Sequence, residues 1–262
     1  MFTKEELKKQ IRDMGIDKDD TVLIHTSMRA IGEVENGADG VIDAFCEVIS
    51  SGLFIVPTHT WDSIGSDNPV FDVRKEVPCI GALPRVAAKR QDGIRSLHPT
   101  HSVWAHGNGA EEFVKGEELA QTPCPVGFAW SRLADMNAKI LLLGVGNDKN
   151  TFIHAIDELA DIPDRLSEKT FDVTIIDHEG RSITHKQHHH HCSKTDNVSD
   201  QFVNFEKPFV KMGVQKFGML GNAVVRIVDA KKCRDLVMKM YSRAKEDLCI
   251  KLMDIPESYY KD

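Results

Sequence analysis

A strand-length apolar run at residues 53–56, LFIV, is stopped by Pro57 and follows a short strand over 21–25 and a helical stripe of Val41, Ile42, Phe45 and Ile49. This β-loop-α-β order restricts the fold more than any other feature, because a strand without a polar face has to be covered by other elements. The pattern recurs where the apolar stretch at 139–145 runs into a loop and a helix over 151–159. Ahead of both, Thr3 and Glu6 have the spacing of a capping box, Leu7, Ile11 and Met14 share one helix face, and Gly15 can end that helix. Asp39 is the expected N-cap of the second helix. Further helices are expected over 81–90 and 128–136, a strand over 102–106, and a last long helix capped by Asp229 and running toward Leu248. Strands over 171–176 and 182–186 flank His178, Glu179 and Gly180, a turn-forming stretch that predicts a hairpin and with it a mixed sheet. The expected class is α/β, with a mixed central sheet flanked by helices. No repeat or linker divides the chain, so residues 1–262 are expected to form one domain.

Composition narrows the class of function. Apolar residues at 41% and charged residues at 28% describe a folding chain rather than a disordered one. The opening MFTKEELKKQ is too charged for a signal peptide, and no stretch approaches the roughly 20 apolar residues of a membrane span, so a cytoplasmic protein is expected. Six scattered cysteines without a CxxC pair suggest neither a disulfide framework nor a zinc ribbon. A net charge of -7 disfavours binding to nucleic-acid phosphates and would attract a cationic ligand.

Four stretches carry chemistry: His25-Thr26-Ser27 at the end of the first strand, Arg95-Ser96-Leu97-His98-Pro99 with His101-Ser102 after it, Thr151 to Asp157, and Gly218 to Ala223. Hydroxyls and amides at a strand end in an α/β sheet hold phosphates and carbonyls, and a cation beside a hydroxyl, as in Arg95-Ser96, can bind a phosphate by charge-assisted hydrogen bonds. Taken singly, each stretch reads more readily as a turn or a helix cap than as a site. Walker A and dinucleotide fingerprints are absent, as is a G-x-S-x-G elbow.

Their order and spacing resemble the aminoglycoside 3-N-acetyltransferase family from about Leu23 to about Val228. The segments that carry the resemblance are LIHTSMRAIG at 23–32, GLFIVPTHT at 52–60, IRSLHPTHSVWAHG at 94–107, ILLLGVGNDKNTFIHAID at 140–157 and FGMLGNAVVRI at 217–227. The resemblance implies a mixed α/β fold distinct from the GCN5-related acetyltransferases. It also implies acetyl-coenzyme A as donor and a cationic amino sugar as acceptor, acetylated at the 3-amino group of a 2-deoxystreptamine ring. Thr26, Ser27, Gly32, Arg95, Ser96 and Ser102 are the donor-site residues expected on this basis. Two positions depart from the family pattern: His25-Thr26-Ser27 replaces HSS, and Asp157, followed by Glu158, stands where a glutamate is usual.

The chemistry can also be read from the residues. Attack on a thioester needs an uncharged amine, so a base must take a proton from the ammonium or from the adduct. His154 suits that role, Asp157 one turn onward can orient the imidazole or bind a cationic group, and Thr151 or nearby amides can stabilise the thioester oxygen. No cysteine sits in a nucleophile setting, so direct transfer is expected over an acyl-enzyme. The run His188 to His191 reads as a solvated loop, as a metal site, or as the source of one histidine lining the acceptor site. Asp157, Glu158, Asp161 and Asp164 read either as a binder of several ammonium groups or as a solvated helix end. Acetylation of a different amine, coenzyme A binding without catalysis, and metal binding remain the alternative functions.

Overall fold

In the computed structural model, which describes residues 1–261, both apolar runs become inner strands of one sheet. The chain order is α1 (Lys4–Asp13), β1 (Thr21–Thr26), α2 (Met28–Ile31), α3 (Gly37–Val48), β2 (Leu53–Pro57), β3 (Val70–Asp72), α4 (Ala82–Ala87), β4 (Ile94–Arg95), β5 (Val103–Gly107) and α5 (Ala110–Val114). It continues with α6 (Ala129–Asp135), β6 (Lys139–Leu143), α7 (Phe152–Leu159), β7 (Phe171–Ile176), β8 (Ser182–Gln187), α8 (Glu206–Lys211), β9 (Gln215–Leu220), β10 (Ala223–Asp229), α9 (Ala230–Arg243) and α10 (Glu257–Tyr260). Seven strands run in the order β4-β5-β2-β1-β6-β10-β9. The central three, β2, β1 and β6, are parallel, and the flanking pairs are antiparallel.

Alternation along the inner strands divides the core in two. Leu23, Ile55 and Leu142 enter one cluster with α6, α7 and α9, while Val22, Ile24, Phe54, Leu141 and Leu143 enter another with α1, α3 and α4. Helices thus cover both faces, as strands apolar on both sides require. Local sequence sets the ends of these helices. Thr3 and Glu6 form the expected capping box on α1, and Asp229 accepts the Lys232 amide at the start of α9. The cap of α3 differs from expectation: Asn36, in the left-handed region, precedes the helix, and Asp39 lies in its first turn. The last long helix ends at Arg243, short of Leu248.

The hairpin β7–β8 forms where expected but does not join the central sheet. It pairs with β3 in a separate three-stranded sheet over its own cluster of Ile64, Phe71, Val73, Phe171, Val173 and Ile175. The central sheet is mixed because of β5, β10 and their partners. No helix among the described residues is long and apolar enough to cross a membrane.

Candidate active site

The parallel strands β1, β2 and β6 end side by side at one edge of the sheet, the place where an open α/β sheet gathers its ligands. A cavity of about 690 Å³ lies there. His25 and Thr26 come from the end of β1, Pro57 and His59 from the end of β2, and Lys149, Thr151 and His154 from the loop and helix after β6. Two further segments close it: the β4–β5 loop supplies Thr100 and His101, and the segment after β8 supplies His189, His190 and His191.

His154 stands on the first turn of α7 and lines the cavity. Its ring stacks on His190 with centroids 3.9 Å apart and meets Phe202 edge-on at 4.8 Å. No hydrogen bond to protein holds it among the described residues, so packing alone fixes the ring. Burial, aided by the Arg165 cation, lowers its pKa to about 3, leaving the imidazole neutral at physiological pH. Thr151 precedes the helix without capping it, and its hydroxyl is free of the helix amides.

Asp157 follows a different course from the one expected of it. It is 1% exposed, does not line the cavity, and has its two carboxylate oxygens committed elsewhere. Tyr241 from α9 donates to one at 2.5 Å and Arg165 Nε to the other at 3.2 Å, while Arg165 Nη2 reaches Asp247 at 2.6 Å. Burial raises the Asp157 pKa to about 6, against the pull of Arg165 and Tyr241. The aspartate side chain is one methylene shorter than the family's glutamate, and these partners hold it behind the helix. It therefore orients Arg165, a cavity-lining cation, and not the His154 ring.

The donor-site expectations also separate. Thr26 lines the cavity, with its hydroxyl buried and unpartnered. Ser27 and Gly32 do not: Ser27 caps α2 by accepting the Ala30 amide, and Gly32 ends that helix at φ +92° against Asn222. Arg95, Ser96 and Ser102 are buried away from the cavity. The Arg95 guanidinium donates to the carbonyls of Glu76 at 2.5 Å and Thr58 at 3.1 Å and lies near Ser102 Oγ at 3.3 Å, while Ser96 Oγ accepts the Val103 amide. Spent on backbone in this way, the cation has no free edge for a phosphate. In the same loop His98 accepts two amides at Nδ1, from Thr100 and His101, so its Nε2 carries the proton donated to the Thr122 carbonyl at 3.0 Å.

Sequence reasoning missed His59 and Arg165 as lining residues, and Tyr241 as the partner of Asp157. His59 at least lay within a motif; nothing local marks Arg165 or Tyr241. The run at 188–191 enters the cavity by its last three histidines, and His188 turns to the Ser167 carbonyl. Among the described residues no three His, Cys, Asp or Glu side chains converge as a metal site would require. Of the four acidic residues that could have met several ammonium groups, none lines the cavity. Glu158 instead accepts from Thr122 and from the Cys124 amide, and Asp164 accepts from Ser193.

Known proteins share this architecture. The chain is 24% identical over 253 residues to aminoglycoside N(3)-acetyltransferase III of Serratia marcescens, covering 88% of this chain and 93% of that one. Among solved structures, AAC-VIa bound to sisomicin superposes with a TM-score of 0.79 at 23% identity, over 94% of this chain and 99% of that one. AAC-IIIb in binary complex with CoASH superposes at 0.76 and 22% identity, over 89% and 93% of the two chains. The family model for aminoglycoside 3-N-acetyltransferases matches residues 23–242. With that match extending from β1 to the end of α9 and taking in every strand of the central sheet, the chain belongs to the aminoglycoside 3-N-acetyltransferase family.

Proposed function

We propose that the protein transfers the acetyl group of acetyl-coenzyme A to an amino group of an aminoglycoside-type amino sugar by direct attack. The observation that carries this reading is His154: a neutral imidazole on the wall of the sheet-end cavity, without a protein hydrogen-bond partner, in a chain of this family. The acceptor's uncharged amine, its ammonium proton first lost to solvent, attacks the thioester carbon, His154 takes the second proton that the nitrogen must shed, the C–S bond breaks, and that proton can pass to the departing sulfur. The products are an amide and the free thiol of coenzyme A. A base neutral at pH 7 accepts that proton most readily after attack, when the adduct nitrogen is far more acidic than the starting ammonium. Thr151, one turn from His154, offers a hydroxyl to the carbonyl oxygen as it becomes anionic. Thr26 supplies a second hydroxyl, and Lys149, exposed on the cavity wall, offers the donor's phosphates a cation that Arg95 cannot.

The test is release of free thiol from acetyl-coenzyme A in the presence of amino-sugar acceptors, with mass spectrometry of the product. A gain of one acetyl group on an acceptor nitrogen is expected. No thiol release with any amine would overturn the proposal.

A further inference from the structure

A polycation binds best in a cavity walled by carboxylates, and this wall is different. Its carboxylates are Asp148 and Asp196 alone, and its cations are Lys149 and Arg165, the latter already paired with Asp157 and Asp247 behind the wall. Asp148 is already paired with Lys149 at 2.9 Å, and Asp196 is exposed. The remaining polar wall is largely imidazole. His25, His59, His101, His154 and His190 come from five separate segments, with ring centroids 4.7 Å apart for His59 and His101, 4.9 Å for His101 and His190, and 3.9 Å for His154 and His190. Two protonated rings about 5 Å apart would repel by roughly 3 kcal/mol at an effective dielectric of about 20, so the belt is built to stay neutral.

The same wall concentrates unsatisfied polar atoms. Of thirteen buried side-chain nitrogens and oxygens without a partner among the described residues, five belong to lining residues: His25 Nε2, Thr26 Oγ1, His59 Nε2, Arg165 Nη1 and His190 Nε2. His25 and His59 are 7% and 4% exposed. Each such atom costs roughly 1–3 kcal/mol until it finds a partner. A hydroxyl can donate to a bare imidazole nitrogen or accept from an imidazole or guanidinium N–H, whereas an ammonium only donates and leaves the Arg165 Nη1 proton without an acceptor.

We propose that the preferred acceptor is rich in hydroxyls and poor in ammonium groups, a mono- or diamino sugar or cyclitol rather than a polyamino antibiotic, with the histidine belt hydrogen-bonding its hydroxyls. This rests on the acetyl-transfer reading above and narrows it. The experiment compares kcat/KM for methyl glucosaminide, 2-deoxystreptamine and sisomicin in the wild type, His59→Leu and Trp61→Glu proteins. The wild type should favour the first two acceptors at least tenfold over sisomicin. His59→Leu should raise KM for them about tenfold while leaving coenzyme A affinity, measured by calorimetry, unchanged. Trp61 is 52% exposed on the cavity wall, so its replacement removes little buried contact, and a carboxylate there should shift preference toward sisomicin. Thiol release fastest with sisomicin in the wild type, or a folded His59→Leu protein with unchanged acceptor KM, would overturn this preference and leave acetyl transfer standing. No release with any of the three would remove the parent reading and this one with it.

Discussion

At the scale of single residues, the proposed role of His154 requires a free electron pair on a fixed ring, and packing against His190 and Phe202 holds that ring on the cavity wall. His154→Ala should leave folding and donor affinity largely intact and slow the chemical step roughly 100-fold to 10,000-fold, read in single-turnover rates. A wild-type chemical rate in that variant would make the histidine structural. With its pKa lowered to about 3, His154 should show no NMR titration between pH 5 and 8, its resonance being assigned by loss in the alanine variant. Arg95 carries the opposite expectation to the one its sequence context suggests. Arg95→Ala strands the carbonyls of Glu76 and Thr58 in the interior, so it should cost about 2–4 kcal/mol of stability in denaturant unfolding. Coenzyme A affinity of the folded fraction should not change. A stable variant with weakened coenzyme A binding would return Arg95 to the donor site.

Between elements, close approach decides the shape of the cavity wall. Gly144 follows β6 at φ +68°, and a Cβ there would run into the Ala30 methyl of α2, the helix that Ser27 caps. Gly144→Ala should therefore destabilise the fold by about 2 kcal/mol or more, through backbone strain and the clash together. Since the same loop leads to Thr151 and His154, acceptor KM should rise as well. A variant with the wild-type melting temperature would show that α2 yields at little cost. The tie between α7 and α9 is polar where most of the core is apolar: Tyr241, 84 residues onward, and Arg165, eight residues onward, converge on Asp157. Removing one member of a buried group of this kind leaves the others unpaired, which is why no single residue of it can be read as an isolated contact.

For the whole molecule, buried histidines set the response to acid. His25, His59, His98 and His101 are each less than a tenth exposed, and burial lowers their pKa values, to about 3 for His25 and about 4 for His98. Unfolded, they would take up protons below about pH 6.5, so the stability they contribute is complete above that pH and is lost as the pH falls toward their folded values. Asp157, raised by burial to about 6, and Glu117 and Glu158, raised by burial to about 7, act in the other direction: they retain protons in the folded chain and weaken it as the pH rises. With His154 and His190, whose pKa values burial also lowers, the histidines outnumber the three carboxyls two to one, so the melting temperature should fall by about 5 °C or more between pH 7.5 and 5.5. A rise on acidification would mean that the carboxyls dominate. Much of this molecule was legible before folding. Apolar runs such as 53–56 and the capping signals at Thr3 and Asp229 act within a few residues, so the sequence alone determines the inner strands β1, β2 and β6, the β7–β8 hairpin, most helices and the α/β class, while the short or edge strands β3, β4 and β9 and their neighbour β10 carry no such signal. Five ordered motifs identified the family, and His154 and Thr151, chosen from the chemistry of an amine meeting a thioester, both line the cavity. Only tertiary structure decided that β7–β8 leaves the central sheet, that Arg95 spends its charge on carbonyls, that Arg165 and Tyr241 take Asp157, and that histidines from five segments form one neutral wall. Those outcomes depend on partners brought together from separate parts of the chain, Asp157 and Tyr241 being 84 residues apart, and their competition for a buried charge or an unpaired carbonyl is settled by packing and leaves no local mark in the chain.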